Sequence, residues 1–130
     1  MKENEKGVVA LITLLIIGAV CLSVVTAVSL AGIGQIDGAL SWYLGEKAAR
    51  LAESCAEEVL IKGRDNKSVP LGGINLGWGN CSYVVSENLG LNTAQITATV
   101  GSGVSYTKRL EITFSRGERS VGLIAWREVE

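Results

Sequence analysis

The chain has no histidine and three cysteines, and that inventory narrows the chemistry open to it. Without imidazole there is no Ser-His or Cys-His nucleophilic pair, no HExxH zinc site and no proton shuttle working near neutral pH. Cys21, Cys55 and Cys81 show no CxxC spacing, so thioredoxin-like and zinc-binding roles are not expected. Glu57 and Glu58 are adjacent, do not face each other on a helix, and read as solvated rather than catalytic. Ala31-Gly32-Ile33-Gly34 is a lone GxG inside an apolar stretch, with no strand before it and no third glycine, and is no dinucleotide fingerprint. Asn66-Lys67-Ser68 and Asn80-Cys81-Ser82 match the glycosylation sequon, a pattern common by chance. Lys108-Arg109 and Arg116 with Arg119 make a mildly basic edge that reads as charge protecting a sheet edge. With 12 basic and 13 acidic side chains, net −1, there is no broad footprint for nucleic acid. No catalytic residue, metal ligand, cofactor or small-molecule substrate is expected, and the chain reads as non-enzymatic.

What the chain does have is an apolar segment. From Gly7 to Ile36, 30 residues carry no charge, and Asp37 ends the run. Its strongest part, Val8 to Leu30, would be ~35 Å long as a helix at about 1.5 Å per residue, enough for a hydrocarbon layer of roughly 30 Å. A soluble core helix would show a polar face, whereas this one has only scattered Ser and Thr. Three membrane readings compete. A cleaved secretory signal finds a passable site at Ser29-Leu30-Ala31 before Gly32, but h-regions run about 7–15 residues and this stretch is longer. A permanent single-pass anchor is the second. The third is a short leader cut away just before a helix that is kept. The third is favoured, because six polar residues end in Lys6-Gly7 directly against Val8. Gly7 presents no side chain to a protease and lets the backbone extend at the boundary. Lys6, the basic residue nearest the span, leans the N-terminus towards the cytoplasm.

The helical period continues past Asp37. Ile36, Leu40, Leu44, Ala48, Leu51, Ala52, Cys55 and Val59 recur at three or four residues, with Glu46–Arg50 and Glu58–Lys62 as i,i+4 pairs. Gly63 is a natural terminator. A helix from about Val8 to Lys62 would run ~80 Å at about 1.5 Å per residue. Gly32, Gly34, Gly38 and Gly45 weaken its middle, each by roughly 1 kcal/mol against alanine. Gly34 and Gly38 also form a GxxxG spacing, which serves either close helix approach or flexibility at the membrane exit. Trp42 and Tyr43 suit either the membrane interface or helix packing. Residues 63–79 read as a glycine-rich loop. Asn80–Glu87, Gln95–Val100 and Ser105–Phe114 read as strands, with Gly101-Ser102-Gly103 turning between the last two and Val121–Val129 as a further edge strand. The expectation is an α+β fold. It has residues 1–7 as leader, 8–36 as apolar helix, 37–62 as amphipathic helix, and an antiparallel sheet of three to four strands within 80–130. The 67 residues after Gly63 are few for an independent core, so helix and sheet need each other and a staple helps. If this part lies outside the cytoplasm, Cys55–Cys81 is the pair available to it; the alternative is two reduced thiols.

Lys6-Gly7 followed by VVALITLLIIGAV resembles the class III signal of type IV pilin-like proteins. Helix then sheet, with a cysteine on each, fits the same architecture, and ARLAESCAEEVL and the terminal IAWREVE resemble small bacterial pilin-like proteins. The resemblance spans the whole chain, with the leader and apolar segment as its specific part. It implies cleavage between Gly7 and Val8 by a prepilin peptidase and methylation of the new N-terminus. It also implies packing of the helix against other pilin-like subunits, with an inner-membrane assembly platform as a further partner. Before assembly the protein would sit in lipid as a single-pass inner-membrane protein, its C-terminal domain outside the cytoplasm; later it would reach the pilus or cell surface. One departure matters. Major pilins carry glutamate at the fifth mature position, where this chain has Ile12, with Thr13 beside it. That departure points to a minor or tip-located subunit of a type IV pilus or type II secretion pseudopilus, and is equally what a plain anchor shows. The alternative is a single-pass protein with a small extracytoplasmic binding domain.

Overall fold

The computed structural model describes residues 2–65, 70–118 and 120–129, with side chains from Glu5 onward. The first sequon, at 66–68, and Arg119 of the basic edge lie outside them. The element order is α1 (Lys2–Arg64), β1 (Leu71–Leu76), β2 (Gly79–Asn88), β3 (Leu91–Val100), β4 (Tyr106–Arg116) and β5 (Val121–Val129). The chain divides into two compact units between Leu40 and Ser41. In the first, α1 already includes Lys2–Gly7, so the leader residues are helical rather than a separate element. Gly32, Gly34, Gly38 and Gly45 are all helical too.

The second unit packs the rest of α1 on one face of a five-stranded antiparallel sheet of order β1-β2-β3-β4-β5. The fold is α+β, with one strand more than the sequence suggests. Alternation explains the sheet's two faces. Cys81 and Tyr83 on β2, Ala94, Ile96, Ala98 and Val100 on β3, and Leu110, Ile112 and Phe114 on β4 point inward and are buried. They meet Ala48, Leu51, Ala52, Cys55, Ala56 and Val59 of the helix. Small alanines of α1 and β3 lie among the larger side chains at this junction. Ile36 and Leu40, expected to begin this stripe, are exposed residues of the first unit; the buried stripe starts with Leu44 and Ala48.

The extra strand, β1, is Leu71–Leu76, in the segment expected to be loop. Its sequence, Leu-Gly-Gly-Ile-Asn-Leu, lacks alternation because contacts demand the glycines. Gly72 lies opposite Tyr83 in the register, and a Cβ there would run into the Tyr83 ring; one on Gly73 would meet the Cys81 backbone. Glycine within a strand commonly marks such close approach. Strand β2 is one residue longer at each end than expected, β3 begins four residues earlier, β4 begins one residue later and ends two later, and the bounds of β5 agree with expectation. The basic side chains Lys108, Arg109 and Arg116 are on β4, which β5 covers, so they do not guard an edge. Lys108 instead pairs with Glu128 across the two strands, which is why it interrupts the apolar row. The β2–β3 hairpin turns through Leu89 (φ 52°) and Gly90 (φ 80°), the pair of positive φ values that matches the twist of a tight hairpin. Leu89 is 98% exposed.

Cys55 and Cys81 are joined as a disulfide, with Cα atoms 6.6 Å apart, and Cys21 is free. The bridge links helix to sheet across a sequence separation of 26 residues, for which chain entropy gives roughly 3.5 kcal/mol of stabilisation. A thiol reagent applied under denaturing, non-reducing conditions should therefore modify Cys21 alone, as read by intact mass. Three modified thiols would remove the bridge from the native fold.

Candidate functional site

The residues expected to be processed or to assemble lie on the first unit's helix. No neighbouring atom comes within 4 Å of the position a Gly7 side chain would occupy, and Val8 is exposed. Ile12 is half exposed, and the Thr13 hydroxyl donates to the Val9 carbonyl of its own helix. The same local solution recurs along the apolar run. Ser23 donates to Val20 at 2.7 Å, Thr26 bridges to Leu22 and Ser23 at 3.1 and 2.9 Å, and Ser29 donates to Val25 at 2.8 Å. All four hydroxyls between Gly7 and Ile36 thus return to the backbone, and the helix offers lipid almost nothing that still needs water. It is the one helix among the described residues long and apolar enough to cross a membrane. Such a helix is compatible with a single-pass anchor.

The structure brings Cys55 and Cys81 together, while Gly7, Val8, Ile12 and Thr13 share one short stretch of helix without other partners from their unit. The second unit also holds two polar clusters, of which the sequence showed only the Glu58–Lys62 pair. At one end of the sheet, the Lys47 ammonium sits 4.3 Å from the centroid of the Trp78 ring and 5.5 Å from that of Tyr43. Cation–π contacts at such exposed sites contribute about 0.5–1 kcal/mol. A groove of about 500 Å³ opens beside them, between Leu44, Asn75, Asn80 and Ser102. The only advance sign was a single Trp set between two glycines.

Further along the helix, Lys62 pairs with Glu58 and donates to the Tyr83 hydroxyl at 3.0 Å. Glu58 is thus held by a structural pair rather than by Glu57, while its second oxygen, Oε2, has no partner among the described residues. The Lys62 ammonium is held above its ordinary pKa of 10.5, first by the Glu58 hydrogen bond and then by Tyr83, against a smaller opposing effect of burial. Among the described residues no three His, Cys, Asp or Glu side chains gather to hold a metal ion.

No protein-family model, curated protein or solved structure matches the chain. The architecture itself, an apolar N-terminal helix whose later part packs on an antiparallel sheet, is a pilin-like fold.

The Lys62 geometry has a pH consequence. Because folding raises this pKa, its stabilisation is complete below 10.5 and is lost as pH climbs through the raised folded value. The advantage in urea midpoint of the wild-type protein over Lys62→Met, measured in detergent, should therefore hold at neutral pH and shrink above 10.5. An advantage that grows in that alkaline range would contradict the assignment.

Proposed function

We propose that the protein is a structural subunit of a type IV pilus or type II secretion pseudopilus, occupying a minor or tip position. The observation that carries this reading is the placement of Gly7 and Val8. A short polar leader abuts a helix that is charge-free to Ile36 and satisfies its own hydroxyls, and the same helix goes on to supply the core of a small sheet domain. An ordinary anchor needs the apolar stretch but not the small residue at its border. The disulfide favours an oxidising compartment for the second unit, which agrees with a C-terminal domain outside the cytoplasm. The partners on this reading are a prepilin peptidase, an inner-membrane assembly platform and the apolar helices of other pilin-like subunits.

Ile12 supports the minor or tip position. A new N-terminal amine buried among packed helices is costly unless a partner satisfies it. A carboxylate at position 12 would answer a neighbour's amine; isoleucine cannot. Thr13 retains acceptor lone pairs, although its proton is already given to Val9, and a neutral hydroxyl is a weaker partner than a carboxylate. A subunit with none beyond it escapes the requirement. The anchored binding domain is the alternative, because Ile12 is equally suited to lipid.

Processing tests the reading directly. Protein isolated from membranes should begin at Val8 and carry one added methyl group by intact mass. Gly7→Glu should abolish maturation, since a bulky charged side chain would fill the small position at the cleavage boundary. Unchanged processing of that variant would refute the prepilin assignment. A mature protein starting at Met1 would support the anchor.

The second test concerns position. In purified filaments the protein should be scarce beside a major subunit, with gold label concentrated at the ends. Ile12→Glu should extend the label along the shaft. Uniform, abundant labelling of wild-type filaments would remove the tip position and leave the pilin reading in place.

A further inference from the structure

The two ends of the sheet differ in chemistry. Leu76 pairs with Gly79, Gly79 with Val100 and Val100 with Tyr106, so the β1–β2 and β3–β4 turns lie at one end. The Tyr106 hydroxyl donates to Ser41 at 2.7 Å, and Gly101 N–H donates to the Trp78 carbonyl. This is therefore the end at which the chain enters the second unit, directly from the apolar segment. It carries the exposed side chains of Trp42, Tyr43, Leu76, Trp78 and Val104. Lys47 adds a cation that makes no ion pair among the described residues, while the neighbouring Glu46 is taken up by Arg50 at 3.1 Å. Neither turn at this end contains an acidic residue, whereas the opposite end carries charges of both signs, Asp65, Glu87 and Glu118 with Arg64 and Arg116.

We infer that, while the protein is held in the membrane, this Ser41 end rests in the headgroup layer of the bilayer, with Trp78 and Trp42 at the interface and Lys47 facing lipid phosphate. The inference rests on the membrane span of the proposed function but not on filament entry. Trp and Tyr favour this layer because each has an apolar body and a polar tip. A cation close to anionic headgroups is attracted there as well. Length makes contact possible. The charge-free stretch from Gly7 to Ile36 is about 45 Å long at ~1.5 Å per residue, whereas the hydrocarbon layer is roughly 30 Å thick. A hydrophobic stretch longer than that layer is accommodated by tilting or kinking. Ser41 then follows five residues after Ile36, within reach of the headgroup layer, and the flank carrying Trp78 has the composition to stay there. Resting in this way would fix the pose in which an assembly platform meets the domain, and extraction would have to break it.

The experiment uses the full chain in vesicles of phosphatidylcholine and phosphatidylglycerol, with and without bromine on the upper acyl chain. The protein has three tryptophans, and Trp126 on β5 is the internal control. Its exposure, 45%, nearly equals the 43% of Trp78. It pairs with Ile112, six residues along β4 from Tyr106 and so roughly 20 Å from the Ser41 end at about 3.4 Å per residue. Single-tryptophan proteins are made by replacing the other two with Phe. Trp78 emission should shift to shorter wavelength and lose intensity in brominated vesicles, while Trp126 emission stays unchanged. Lys47→Glu in the Trp78-only protein should reduce that loss, with the Cys55–Cys81 bridge, read by thiol labelling, showing that the fold persists. If Trp42 is quenched and Trp78 behaves like Trp126, the docking inference is wrong and the span stands. If none of the three is quenched, the docking inference is wrong, and the span stands or falls by whether the protein stays with the vesicles after an alkaline carbonate wash.

Discussion

The second unit depends on one contact, the apolar stripe of α1 laid on the inner face of the sheet. Neither side is adequate alone. The sheet's inner residues, from Cys81 and Tyr83 through Ile96 to Phe114, would face water without the helix, and the helix would expose Leu51, Cys55 and Val59 without the sheet. A domain of this size has little area to spare, which is why a covalent link between the two layers matters. Cys55 lies on the stripe and Cys81 opens the inward row of β2, so the bridge joins the two surfaces at the place where they pack.

Small residues line both surfaces where the layers meet. Ala48, Ala52 and Ala56 recur every fourth residue, one turn of helix apart, and face a sheet whose central strand offers Ala94 and Ala98. Glycines continue the theme where side chains would collide. A Cβ on Gly63 would lie 3.2 Å from the Phe114 ring, and one on Gly79 would lie 3.2 Å from Leu51. Large side chains fill what remains: Tyr83 spreads over Gly72, and Phe114 closes the far end beneath Gly63. Polar contacts add to this core from its borders. Lys62 and Glu58 of the helix meet the hydroxyl end of the buried Tyr83, and Arg127 joins Glu111 at 2.6 Å on the face of the sheet away from the helix.

The first unit obeys a different solvent. Its helix has apolar residues on all sides and turns every hydroxyl inward to its own backbone, which suits lipid or a packed bundle of like helices equally. On the function proposed above, that double compatibility would let one segment serve as an anchor first and as filament core afterwards. The cost of such a change of surroundings would fall on the few polar groups near its start, Thr13 among them, beside the apolar Ile12.

Local pattern was enough to read the helix and its switch from all-round apolar to amphipathic, because a period of three to four residues is set by helix geometry alone. The same holds for β2 to β4, whose inward residues alternate, and for the i,i+4 pairs Glu46–Arg50 and Glu58–Lys62. The Cys55–Cys81 pairing was legible as a conditional, the pair available if this part lies outside the cytoplasm, and the structure forms it. Tertiary structure decided the rest. Strand β1 was hidden because Gly72 and Gly73 answer to the Tyr83 ring and the Cys81 backbone, atoms that only the folded register brings near. The roles of Lys47 and Trp78 were hidden for the same reason: they lie far apart in sequence, and nothing short of packing the helix on the sheet sets an ammonium over an indole. Sequence pattern carries what neighbours along the chain decide, whereas close approach between distant segments is decided by shape, which no single segment contains.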